Sequence, residues 1–166
     1  MKFERTSSGS DGIERPVEIK ERDAVDVIGV EHVGPYMDIG NAYGKLHGWL
    51  GVNDYFERTG EMIALYFDDP HSTPADELHS LASISMDPMP DDPAMVKASV
   101  AGGRYAVLRH QGPYAAMPLA YDWFLSDWLE ASGEQLRDEP MFELYLNTPG
   151  DTAQQDLITD IHMPLA

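Results

Sequence analysis

Met141, Glu143 and Tyr145 stand two residues apart in the stretch Pro140-Met141-Phe142-Glu143-Leu144-Tyr145-Leu146-Asn147-Thr148. Strand side chains alternate between faces, so these three share one face while Phe142, Leu144 and Leu146 take the other and can pack on a core. A carboxylate set between a thioether and a phenol has little water around it. Such a group can hold an organic cation, with each ring face adding about 0.5–2 kcal/mol of cation–π attraction, or it can take up a proton and serve as an acid or base. The plain alternative is a solvated glutamate on a half-exposed strand.

The elements that must position this face occur twice. His32, Gly34, Pro35, Tyr36, Ala42 and Tyr43 recur 78 residues later as His110, Gly112, Pro113, Tyr114, Ala120 and Tyr121, and Leu65-Tyr66 recurs as Leu144-Tyr145 at a shift of 79. The spacing predicts an α+β fold of two β-α-β-β repeats, 16–90 and 93–166, related by a pseudo-twofold axis. Antiparallel sheets would then form a central ligand groove between the copies. In the first copy, a strand from Val17 is interrupted near Glu21 to Ala24 and resumes to about His32. A helix follows over Met37 to Leu50, with Gly40, Gly44 and Gly48 as a second stripe, then strands over Met62–Phe67 and Leu78–Met86. The second copy runs through strands over Met95–Val100 and Arg104–His110, a helix from Pro118 to Ser132, and strands over Phe142–Leu146 and Leu157–His162. Residues 1–15 are poor in apolar anchors and are expected to be a disordered tail.

Aligning the copies places Glu143 opposite Ala64. Fold maintenance acts on both copies, so a carboxylate present in one alone is hard to explain by architecture. Tyr66 and Tyr145 occupy equivalent positions beside it and are candidate groove walls, although buried tyrosines with satisfied hydroxyls would look the same in sequence. Tyr36 and Tyr114 follow Gly-Pro at helix entries and suit helix anchoring as well as ligand contact. Trp123 lies off the helical stripe that holds Phe124 and Trp128 and is placed to lean into the groove. His32 and His110 repeat symmetrically, which favours a structural role. No HExxH pattern, Gly-rich phosphate loop or nucleophile elbow is present, so neither a metal nor a cofactor is expected.

The formal net charge is −18, from 29 acidic and 11 basic residues, and there is no Cys. That balance repels nucleic acid and anionic membranes, so direct contact with either is not expected, and solubility or adaptation to salt explains most of the acids. The absence of Cys and of any long apolar run is consistent with a cytoplasmic protein.

At Gly34-Pro35-Tyr36, Gly102-Gly103-Arg104-Tyr105-Ala106-Val107 and Phe142-Glu143-Leu144-Tyr145-Leu146-Asn147, the chain resembles the GyrI-like family, the effector-binding fold of AraC-type regulators. Tyr66-Phe67-Asp68-Asp69-Pro70 and Thr73-Pro74-Ala75-Asp76-Glu77-Leu78 are similar to the stand-alone DNA gyrase inhibitors within it. The resemblance implies a small-molecule-binding domain over 16–166 with a concave groove and the family's floor glutamate at Glu143. It implies aromatic walls, for which Tyr145, Tyr66, Tyr114, Tyr36, Trp123 and Met141 are the candidates. The implied partners are a lipophilic or cationic small molecule and DNA gyrase, in a stress or toxin response. Only about fifteen residues precede the domain, so no helix-turn-helix is expected. The alternative activity it implies is hydrolysis of cyclopropanoid alkylating toxins, with Glu143 as the catalytic group.

Overall fold

A computed structural model describes residues 15–166. The expected tail, apart from Arg15, lies outside the described residues. The chain forms β1 (Val17–Arg22), β2 (Val25–Val33), α1 (Gly40–Asn53), β3 (Thr59–Tyr66), β4 (His79–Met86), β5 (Val96–Val100) and β6 (Gly103–Gln111). A second helical rod follows as α2 (Met117–Trp123), a π-helical turn (Phe124–Trp128) and α3 (Leu129–Ser132), and then β7 (Met141–Tyr145) and β8 (Ile158–Pro164). The fold is α+β. All eight strands join one antiparallel sheet in the order β1-β6-β8-β7-β3-β4-β2-β5.

The two halves meet at the centre through β3 and β7, in a register that pairs Ala64 with Glu143. They also exchange strands at the edges. β1 pairs with β6 of the second half, and β5 pairs with β2 of the first. The interruption expected near Glu21 to Ala24 therefore separates β1, at one edge of the strand order, from β2, which lies between β4 and the other edge strand β5; it is not a kink in one strand. Each half contributes its leading strand to the other, and the chain buries both edges of the inner strands in this way.

Local chemistry repeats closely in the two halves. Gly34 and Gly112 adopt φ of +132° and +133°, a region a side chain resists, and their amides donate to the carbonyls of Leu78 and Leu157 at 2.8 Å each. His32 and His110 each place Nε2 against a proline carbonyl, Pro35 at 2.9 Å and Pro113 at 3.1 Å. Both helical rods end on a left-handed residue, Asp54 or Gly133. These ends are 79 residues apart, whereas Tyr43 and Tyr121 are 78 apart. The extra residue falls in the interval containing the π-helical turn, the element that accommodates one more residue than an α-helix does.

Packing divides by face. On one face of the sheet, α1 covers Ile28, Ala64, Tyr66, Ala82 and Ile84, and the second rod covers Ala106, Leu108, Met141, Ile161 and Met163. The opposite face gathers Val27, Ile63, Leu65, Leu81, Tyr105 and Phe142 into a third cluster. Phe142 is fully buried there and Leu144 partly so, but Leu146, expected in the core, is 47% exposed beyond the end of β7. Gly40, Gly44 and Gly48 face open space, with nothing packed against them. Among the described residues, no helix is long and apolar enough to cross a membrane.

Candidate functional site

Glu143 sits near the middle of β7, on the helix-covered face, and is 4% exposed. Three phenols converge on its carboxylate. Tyr66 on β3 and Tyr145 on β7 donate to Oε1 at 2.9 and 2.7 Å, and Tyr121 on α2 donates to Oε2 at 2.6 Å. The hydroxyls of Tyr66 and Tyr145 lie 3.3 Å apart over the shared oxygen. Among the described residues, no Lys, Arg or His forms an ion pair with Glu143.

Burial pushes the Glu143 carboxyl above the usual carboxylate range, and the hydrogen bonds from Tyr121, Tyr145 and Tyr66 oppose that push because they stabilise the anion. The phenols move the same way for a different reason. Burial first, then the negative charge of Glu143, drives Tyr66, Tyr121 and Tyr145 far above the ordinary phenol value. They are therefore fixed as O–H donors at neutral pH.

A wider ring of tyrosines completes the site. Tyr43 on α1 packs edge-on to Tyr145 with centroids 5.7 Å apart, Tyr114 packs on Tyr145 at 5.7 Å, and Tyr36 packs on Tyr66 at 4.6 Å. Six of the chain's eight tyrosines thus form three symmetry-related pairs, 36 with 114, 43 with 121 and 66 with 145, around one glutamate. The pairs are not equivalent. Tyr36 is locked by its hydroxyl, which donates to the Asp68 carbonyl at 2.7 Å and accepts from the Asp68 amide at 2.9 Å, and burial raises its phenol to about 12. Tyr114 is half-buried, its phenol raised by burial and then by Glu143, and its contact in the site is the ring of Tyr145.

Of the residues singled out in the sequence, the structure brings together Glu143, Tyr66 and Tyr145 by hydrogen bonds and Tyr36 and Tyr114 by ring contacts. Met141 on β7 and Trp123 on α2, 1% and 9% exposed, pack in the core between the second helical rod and the sheet. Arg15 lies over the Trp123 ring at 5.8 Å. Tyr121 and Tyr43 fall on the apolar stripes of their helices, where a tyrosine reads as core. The signal that could have separated them is their recurrence as tyrosine in both copies, at a position where Leu or Phe would pack equally well.

The rings close over the carboxylate, so the site is occupied by its own side chains. Two open surface hollows lie away from it, one lined by Asp26, Met89, Lys97 and Ser99, the other by Val25, Arg58, Thr59 and Ser85. Neither contains a buried titratable group, and Glu143 is the stronger candidate on chemistry. Among the described residues, no cluster of three or more His, Asp or Glu could hold a metal ion.

The sequence matches the family described as the GyrI-like small molecule binding domain over residues 15–166. It is 33% identical over 108 residues to a probable transcriptional regulator, YgiV, of Escherichia coli K12, covering 64% of this chain and 68% of that protein. It is 26% identical over 147 residues to a DNA gyrase inhibitor of the same strain, covering 84% and 91%. Among solved structures, the EcmrR C-terminal domain superposes with a TM-score of 0.72 at 17% identity, over 93% of this chain and 99% of that one. The EcmrR chain in a DNA complex gives the same TM-score at 16% identity over 90% of this chain, which spans only 57% of that longer protein. SAV2435 bound to tetraphenylphosphonium superposes with a TM-score of 0.65 at 14% identity, over 91% and 94% of the two chains.

Proposed function

Because the chain belongs to the GyrI-like family of small molecule binding domains, we propose that it binds lipophilic organic cations at Glu143. The observation that supports this most directly is a glutamate 4% exposed, with three tyrosine hydroxyls on it and, among the described residues, no basic side chain paired to it. A buried carboxylate without a counter-ion carries a desolvation cost that a ligand cation offsets, and the surrounding phenol rings offer it their faces. A small, strongly hydrated cation gains least in such a setting. A cation wrapped in hydrocarbon, as SAV2435 holds in its tetraphenylphosphonium complex, gains most.

Binding requires the rings to part. Tyr114, half-buried and held in the site by its ring contact with Tyr145, has least to break, while Tyr36 and Tyr66 form the fixed wall. Titration with tetraphenylphosphonium is expected to raise the melting temperature of the wild type, and Glu143→Gln, which keeps size and hydrogen bonding but removes the charge, is expected to abolish the rise. A shift of equal size in the variant rejects Glu143 as the anchor.

A second reading is modulation of DNA gyrase, favoured by the relative of that description and by the net charge of −18, which suits the basic DNA-binding face of a partner. The protein is then expected to slow plasmid supercoiling at low salt, with recovery as salt rises; no effect at any salt removes this reading. The raised Glu143 carboxyl also keeps open a cyclopropanoid hydrolase, for which the test is ring-opened product with the wild type and none with Glu143→Gln.

A further inference from the structure

Tyr43 is the symmetry mate of Tyr121, and the two hydroxyls have different fates. Tyr121 donates to Glu143 at 2.6 Å. Tyr43 is 8% exposed, and its buried hydroxyl approaches the Ser83 backbone without completing a hydrogen bond, while the residue paired across from Glu143 is Ala64. The Ser80 hydroxyl, on the strand position paired with Tyr66, is also buried and unpartnered, but so is that of its symmetry mate Thr159 opposite Tyr145, so this feature is common to both halves and only Tyr43 marks the difference. A buried hydroxyl left unpaired costs about 1–3 kcal/mol, and such groups are rare enough in folded proteins to need a reason.

The two positions belong to one site. Tyr43 shares a cluster with Ala64, Tyr66 and Tyr145, its ring meets that of Tyr145, and the charge of Glu143 reaches its phenol. Cross-strand partners such as Ala64 and Glu143 have Cβ atoms about 5 Å apart, so one small ligand can touch both. The Tyr43 phenol stays protonated, since burial and then Glu143 push it far up. It can therefore donate its proton to an acceptor on a ligand.

Building on the cation reading above, we infer that the Ala64 side of the site is a neutral hydrogen-bonding subsite in which Tyr43 donates to a carbonyl or ether oxygen of the ligand once the rings part. The ligand class narrows accordingly. It is a lipophilic cation that carries an uncharged acceptor a few ångströms from its positive centre, with the charge on the Glu143 side and the acceptor on the Tyr43 side. Two glutamates would have made the groove select dications; one glutamate and one free phenol make it select polarity along a single molecule.

The experiment compares two probes of matched shape, tetraphenylphosphonium and (4-acetylphenyl)triphenylphosphonium, on the wild type, Tyr43→Phe and Glu143→Gln by calorimetric titration. The wild type is expected to bind the acetyl compound about three- to tenfold more tightly, the worth of one hydrogen bond. Tyr43→Phe, which keeps the ring and removes the hydroxyl, is expected to bring the two probes to equal affinity. It removes only the incomplete contact with the Ser83 backbone, so its melting temperature should fall little. Equal binding of the two probes by the wild type, as a resident water on Tyr43 would give, overturns the subsite and leaves the cation site standing. A preference that survives in Tyr43→Phe overturns it too. Binding of neither probe, or binding untouched by Glu143→Gln, overturns the proposed cation site and this inference with it.

Discussion

The first half of the molecule is a control for the second. Both carry the Gly-Pro-Tyr helix entry, the His on a proline carbonyl and a tyrosine at the equivalent point of helix and strand, yet only the second has a carboxylate on the shared face. In the first half Ala64 holds the equivalent place and the Tyr43 hydroxyl completes no hydrogen bond, and in the second Glu143 collects Tyr121, Tyr145 and, across the pseudo-twofold axis, Tyr66. Features present in both halves report on architecture. Features present in one report on what the duplicated scaffold has been used for.

The largest difference expected between the halves comes from the opposite face of the sheet. His162 on β8 is 3% exposed and stacks on Phe142 with centroids 4.2 Å apart, where the first half has Ser83, whose hydroxyl donates to the Ile63 carbonyl at 2.8 Å. Burial lowers the imidazole from 6.5 to about 4. The unfolded chain binds the proton more readily than the native one, so the stability His162 contributes is full above pH 6.5 and is lost as pH falls towards 4, by about 3 kcal/mol. His162→Ser, which installs the first half's residue, should flatten this acid limb of a denaturation profile. An unchanged slope would show that another group sets it.

Next in size is the helix-borne phenol. Tyr121→Phe removes a 2.6 Å hydrogen bond to a buried carboxylate and should lower the stability by about 2 kcal/mol in urea titration, whereas Tyr43→Phe should change it little. Equal losses would mean that the halves are less different than their hydrogen bonds. The helix-entry pair gives a smaller contrast. Tyr36→Phe loses both bonds to the Asp68 backbone and should cost about 1–2 kcal/mol, against a few tenths for Tyr114→Phe. The smallest effect is on the exposed face of α1, where Gly44→Ala meets nothing within 4 Å and should stabilise by about 0.5–1 kcal/mol; a loss would reveal a contact on that face.

Much of the architecture was legible in the sequence because a repeat can be aligned with itself. The constant offset in His-Gly-Pro-Tyr and the period-two pattern of Met141 to Leu146 set Glu143 opposite Ala64, and the β3–β7 register has that same pairing. The one-residue change of offset was visible too, but its seat in the π-helical turn was not, since helix periodicity over so short a span does not distinguish the two windings. The exchange of β1 and β5 between the halves was hidden for a similar reason. An interrupted strand and two strands far apart in the sheet have the same alternation, and only long-range pairing separates them.

Sequence by itself determined that one acid breaks the symmetry of a duplicated scaffold, because side-chain direction along a strand is a local property. It also determined that Tyr66 and Tyr145 stand at equivalent positions beside that acid. Only the tertiary structure decided that Tyr121 reaches the carboxylate, that the Tyr43 hydroxyl completes no hydrogen bond, and that Met141 and Trp123 turn into the core. Those outcomes depend on how far each helix stands from the sheet and on which rings fill the space between. Such distances are fixed by the packing of residues 22 to 79 positions apart in the chain, and no local pattern encodes them.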